Sequence, residues 1–155
     1  MESPQHISKE PLIRLFLLIN SHCIIVFMKS VVICGSRRYK DEARDFASKL
    51  RAKGVVVFEP FFNTNRRIDT LAPDLKRYAF TGLTWHHFEF IRKANVVFIY
   101  NKDGYIGNSV TMELGAAAIL GKPIYALEED KTEACRNVLI DEIVPTPQEL
   151  VKRLK

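Results

Sequence analysis

Short apolar runs rich in β-branched residues alternate along this chain with stretches whose apolar residues recur at helical spacing. No other feature restricts the fold as strongly. KSVVIC at 29–34, VVVFE at 55–59 and NVVFIY at 95–100 are almost continuously hydrophobic, as strands are when both faces of their sheet are covered. A shorter run, IYAL, occupies 124–127. Between the first two runs, Ala43, Phe46, Ala47 and Leu50 repeat at helical spacing and Gly54 stops the pattern, which predicts a helix over 40–53. Helices are likewise expected over 83–93, with Trp85, Phe88 and Ile91 toward the core, and over 109–120. Thr146-Pro147-Gln148-Glu149 reads as a capping box that opens a last helix. Residues 61–80, polar and irregular with Asn63, Asn65 and Pro73, read as a long loop.

This alternation predicts an α/β fold: a single doubly wound, mainly parallel sheet of the Rossmann or flavodoxin kind, with helices on both faces. Ligands of such sheets sit outside the carboxyl ends of the strands. The loops after Cys34, Glu59, Tyr100 and Leu127 are therefore where function is expected.

At 155 residues, with 47% hydrophobic and 26% charged, the chain suits one globular domain and is neither disordered nor fibrous in type. That domain is placed at 28–155, with residues 1–27 as a non-core extension and Met28 as the expected functional start. The apolar stretch over 12–27 is interrupted by Arg14, Asn20, Ser21 and His22 and falls short of the roughly 20 residues a membrane span needs. No small-x-small cleavage site follows it. A soluble, cytoplasmic protein without a membrane partner is expected. The three cysteines, Cys23, Cys34 and Cys135, show no CxxC spacing, so neither a disulfide framework nor a metal site is expected, and no cofactor. The net charge of +5 includes the pairs Arg37-Arg38, Arg66-Arg67 and Lys76-Arg77, a surface that favours anionic partners. Without basic-aromatic interleaving, a small nucleotide fits that charge better than a nucleic acid.

Two loops carry residues suited to chemistry. After the first strand, Gly35-Ser36-Arg37-Arg38 offers backbone N–H groups, a hydroxyl and a guanidinium to a phosphate, although it is not a GxGxxG fingerprint. An equally good reading is a plain strand-to-helix turn. The segment NKDGYIGNSVTME at 101–113 is more informative. Gly104 and Gly107 allow backbone to approach a ligand, Asp103 lies beside them, and Asn108 or Ser109 is suited to cap the helix. That helix is apolar almost all round, so it is expected to be buried in the core or at a subunit contact, and a homodimer or higher homo-oligomer follows. Glu113 is its only charge before Lys122. A carboxylate buried there without a partner is costly, and such groups concentrate at functional sites. His86 and His87 are adjacent on the preceding helix and point in different directions, so only one of them is expected to reach a site.

The run DGYIGNSVTMELGAAAILGKPIY resembles the signature of the nucleoside 2-deoxyribosyltransferase-like family, which includes deoxynucleoside 5'-monophosphate N-glycosidases. VVICGSRR is similar to the family's first strand and turn, and RKANVVFIYN to its strand before the catalytic loop. The resemblance covers residues 29 to about 127, and its Glu-Leu-Gly portion is the specific part. It implies that Glu113 is the nucleophile at the anomeric carbon, and that Ser36 and Arg38 match phosphate-contacting residues. Gly35, Asp103, Gly104, Gly107, Asn108 and Ser109 would complete the ligand-binding set. Two positions depart from the family pattern. His87 stands where the family carries an aspartate, and Gly107, six before Glu113, stands where it carries aspartate or serine. A histidine with near-neutral pKa is suited to protonate a departing base or activate water. The expected function is cleavage or transfer at an N-glycosidic bond of a nucleoside or its 5'-monophosphate. A non-catalytic nucleotide sensor built on the same pocket is the alternative.

Overall fold

The structure, a computed structural model, describes residues 29–62 and 68–154. The expected extension at 1–27, the start at Met28, and Cys23, Asn63, Asn65 and Arg66-Arg67 lie outside these residues. Among the described residues, strands β1 (Ser30–Gly35), β2 (Val56–Phe58), β3 (Val96–Tyr100), β4 (Ile124–Ala126) and β5 (Glu142–Ile143) form one sheet in the order β2-β1-β3-β4-β5. Every neighbouring pair is parallel, as the alternation of strand and helix requires. The helices are α1 (Lys40–Arg51), α2 (Pro73–Lys93), α3 (Asn108–Ile119), α4 (Ala134–Asn137) and α5 (Pro147–Arg153).

Strand periodicity assigns side chains to two cores. Val31 and Ile33 of β1, with Val96, Phe98 and Tyr100 of β3, pack under Ala43, Phe46, Ala47 and Leu50 of α1 and Leu150 of α5. Val32 and Cys34, with Val97 and Ile99, face the opposite way, toward Ile91 of α2 and Val110, Leu114 and Ala117 of α3. Both faces are therefore covered, which is why these strands read as unbroken apolar runs. Cys34 shares the α2/α3 face with Val32 because the two are separated by one strand period.

Three sequence expectations need correction. Helix α2 begins at Pro73, not at 83, so much of the presumed loop is helix. Trp85 is 66% exposed and points away from the core. Helix α3 buries Val110, Leu114 and Ala117 in the core and leaves Met112 and Ile119 exposed in the single chain, where the expectation allowed for a subunit contact. The cap of α3 is Gly107, with no side-chain cap, instead of Asn108 or Ser109. At the last helix the expectation agrees with the structure: the Thr146 hydroxyl accepts a hydrogen bond from the Glu149 backbone N–H at 3.2 Å.

The end of β3 is tied to the chain after β4 by Asn101, a fully buried side chain. Its amide donates to the Glu128 carbonyl at 2.6 Å and its oxygen accepts from the Glu128 N–H at 3.0 Å. Asn101→Ala leaves both backbone groups unpaired in the interior. The expected loss is roughly 1–3 kcal/mol for each group that stays unsatisfied, read from denaturant midpoints at unchanged slope.

Candidate active site

Strand β1 leads outward to α1 on one face while β3 leads to α3 on the other, so a crevice opens where the two chain paths diverge. A cleft of about 410 Å³ lies there. Gly35, Ser36 and Arg37 form one rim and Gly107, Asn108 and Ser109 another. Phe61, Phe80, Leu83 and Phe88 give it an apolar wall, and His87 and Glu113 face into it.

The first residues of α3 bring a dozen-residue helix to the cleft with no side chain capping its amides and no acidic residue in its first turn. Such a terminus favours a negatively charged ligand group. Its position is held by Arg136 of α4. That guanidinium donates to the Ile106 carbonyl at 3.3 Å and the Thr111 hydroxyl at 3.0 Å, and pairs with the buried carboxylate of Asp130. Neither α4 nor this anchor was visible in the sequence pattern, because four residues are too few to show a helical period.

Some expected ligand residues reach the cleft and others do not. Gly35, Ser36, Gly107, Asn108 and Ser109 line it. The Ser36 oxygen also accepts from the Arg38 backbone N–H at 3.2 Å, which closes the turn after β1. Arg38 itself lies over the Tyr105 ring, 4.0 Å from its centre, and Arg37 lines the cleft instead. Asp103 and Gly104 stand outside the lining and build the loop. Asp103 adopts φ 59° and accepts from the Tyr39 hydroxyl at 3.0 Å. Gly104 adopts φ 71°, and a Cβ there would meet the Glu129 carbonyl oxygen at 2.7 Å. Its glycine is demanded by the turn, not by a ligand.

At the cleft floor, Glu113 of α3, His87 of α2 and Cys34 of β1 converge. His87 Nε2 lies 3.6 Å from Glu113 Oε1 and 3.5 Å from Cys34 Sγ. His86, by contrast, is exposed and packs its ring on Phe61 and Phe90. Cys34, to which spacing along the sequence gave no role, joins them: its thiol, the imidazole and the carboxylate lie within 4.8 Å of one another. This is a donor set able to hold a metal ion.

Proximity favours a His87–Glu113 ion pair, while burial penalises both charges. Burial prevails. It pushes Glu113 up to about 8, with a small opposing effect from the Cys34 thiol, and pulls His87 down to about 4, helped by repulsion from His86. Their 3.6 Å separation is too long for a strong hydrogen bond, and among the described residues Glu113 Oε2 and His87 Nδ1 have no hydrogen-bond partner. Both shifts favour the uncharged pair, a carboxylic acid beside a neutral imidazole, at neutral pH. Burial also pushes the Cys34 thiol well up, with the nearby Glu113 adding to the effect.

A stability signature follows. A folded-state pKa raised above that of the unfolded chain favours folding below about 4.5, and the advantage is lost as pH rises toward about 8. His87 acts oppositely, losing stability as pH falls from about 6.5 toward 4. Glu113→Gln removes only the first dependence. Its melting temperature relative to wild type is expected to rise between pH 5 and pH 8.5; a fall over that range would indicate an ion pair instead.

No protein-family model and no curated protein matches the chain. Solved structures do. A 2-deoxyribosyltransferase from the psychrotolerant bacterium Bacillus psychrosaccharolyticus superposes with a TM-score of 0.59 at 18% identity, over 78% of this chain and 89% of that one. A conserved protein from Enterococcus faecalis V583 superposes with a TM-score of 0.57 at 16% identity, over 82% and 97%. The chain thus has the α/β fold of a 2-deoxyribosyltransferase, in agreement with the fold implied by the run into Glu113. Among the described residues, no helix is long and apolar enough to cross a membrane.

Proposed function

We propose that the cleft binds a nucleoside or its 5'-monophosphate and that Glu113 attacks the anomeric carbon of the sugar. The observation that carries this reading is one largely buried carboxylate lining the cleft, 3.6 Å from a buried histidine and beside an uncapped helix start. The apolar wall of Phe61, Phe80 and Phe88 suits a planar base. The rim of Ser36, Arg37 and the first amides of α3 suits hydroxyls or a phosphate.

The His87–Glu113 pair holds one proton, and the reaction needs it moved. Transfer from Glu113 to His87 turns the acid into a nucleophile and the imidazole into an acid without changing the net charge of the cleft. The bond from the sugar to the base nitrogen then breaks. Its electron pair leaves with the base, which takes the proton from His87, while a Glu113 oxygen bonds to the sugar carbon. Water completes hydrolysis of the resulting ester, and a second base in its place completes transfer.

The test is incubation of the protein with a panel of nucleosides, deoxynucleosides and their 5'-monophosphates, followed by chromatography for free base. Release of base from at least one member is expected. Binding by calorimetry with no release across the panel would replace this reading with that of a nucleotide sensor. Within the catalytic reading, His87→Ala is expected to lower kcat roughly a hundred- to ten-thousand-fold, the usual worth of a positioned acid-base group, with a much smaller change in KM.

A further inference from the structure

We propose that Cys34, His87 and Glu113 form a binding site for a thiophilic divalent cation of the zinc class, with a fourth coordination position open to the cleft. The donor set is the first argument. A thiolate, an imidazole and a carboxylate are the three side chains that zinc takes, and sites with three protein ligands leave one position for water or a ligand atom. Magnesium and calcium require oxygen-rich shells and would not be held by sulfur and nitrogen.

Spacing is the second argument. With zinc–sulfur near 2.3 Å and zinc–nitrogen near 2.0–2.1 Å, a tetrahedral ion separates these two donors by about 3.5 Å. Cys34 Sγ and His87 Nε2 are 3.5 Å apart, and His87 Nε2 and Glu113 Oε1 are 3.6 Å apart. All three donors fall within 4.8 Å of one another, a spacing from which they could hold one ion. The three come from separate elements, β1, α2 and α3, each packed in the same core, so the spacing is held by the fold.

Charge is the third argument. A lone thiolate or carboxylate on this floor is expensive to bury, whereas a dication bound by both together with a neutral imidazole carries no net charge. Cys34 is fully buried and His87 nearly so, while His87 and Glu113 both line the cleft and give an ion its entry path.

The site does not depend on the glycosidase reading, but it bears on it. An ion held by Glu113 occupies the oxygen that would attack the sugar, so metal and base release would exclude each other. Cobalt(II) is the probe, titrated into the tag-free full chain after chelator treatment and removal of the chelator. Expected are one cobalt per chain, a thiolate-to-cobalt charge-transfer band, intense four-coordinate visible bands, and displacement by zinc but not by magnesium. Cys34→Ser should abolish the charge-transfer band, and Cys135→Ser should leave it intact. His87→Gln should weaken binding by about a hundredfold or more, beyond the 10–100-fold typical of outer-shell partners. Should Cys34→Ser fail to fold, Glu113→Gln replaces it and should weaken binding comparably. Absence of four-coordinate bands in folded wild-type protein, or their persistence in all these variants, overturns the proposal. Base release without cobalt bands would leave the glycosidase reading standing alone. Cobalt bands with no base released in the presence of chelator would leave the metal site alone.

Discussion

Glu113→Gln is expected to lower base release by about a thousandfold or more while leaving the fold and ligand affinity nearly intact. The substitution keeps the size of the side chain and removes both the charge and the nucleophilic oxygen. A covalent nucleophile contributes only as positive charge develops at the sugar, so its loss falls on kcat, at about 1.4 kcal/mol of barrier for each power of ten. In the proposed complex, ground-state contacts would come from Ser36, Arg37 and residues 107–109, which line the cleft and are left unchanged by the substitution. Steady-state kinetics and calorimetry on the same preparation separate the two effects. Unfolding would not account for the loss, because a glutamine needs no proton to be buried neutral and is expected to be at least as stable as wild type at pH 8.5. Unchanged base release would remove Glu113 from the role of nucleophile.

Phe98→Ala is expected to destabilise the protein by roughly 3–5 kcal/mol, the usual range for deleting a buried aromatic ring. Phe98 lies in the central strand β3, is fully buried, and stacks on Phe46 of α1 with ring centres 4.6 Å apart. The void would sit between sheet and helix, where both neighbours are already bound to other elements and cannot collapse into it. Denaturant unfolding measures the change. A loss below about 1 kcal/mol would show that this core repacks freely, contrary to the close packing of protein interiors.

How much of this was legible in the sequence depended on whether a residue's role leaves a periodic trace. Val31 to Cys34 and Val96 to Tyr100 are buried on both faces, so they advertise themselves as strands. Ala43, Phe46, Ala47 and Leu50 form one buried stripe and advertise a helix. Glu113 stood out because it is a charge in an apolar helix. The first half of α2 left no such trace: it has little to bury, so its apolar residues follow no stripe, and Pro73 at its start was the one available signal. Strand β5 is two exposed residues long and gives no alternation to read. Cys34 was passed over because cysteines were judged by their spacing along the chain. Its parity with Val32 on β1 already assigned it to the face that carries Glu113, and that inference needed the sheet's two sides to be distinguished.

Helix α2 has a consequence for how the cleft behaves in time. At 1.5 Å per residue its 21 residues extend about 31 Å, nearly twice the roughly 17 Å of the five-residue strand β3. Its buried residues, His87 and Ile91, both fall in the C-terminal half, where Lys122 also clamps the Arg92 and Ala94 carbonyls at 2.8 and 2.7 Å. Among the described residues, the N-terminal half has no fully buried side chain: Leu75 and Tyr78 are exposed, and Lys76 pairs with Asp69 at 3.4 Å. Opening free energy is therefore expected to grade along one helix: hydrogen exchange should find amides near 76–82 opening by local unwinding and those near 89–93 protected with the core. Phe80 and Leu83 of the cleft wall stand on this less buried half, and the Arg136-anchored start of α3 forms another side of the cleft. Under the proposed function, a wall on the less buried half of α2 that adapts to its occupant would admit a broader range of bases, at an entropic cost that lowers affinity for each.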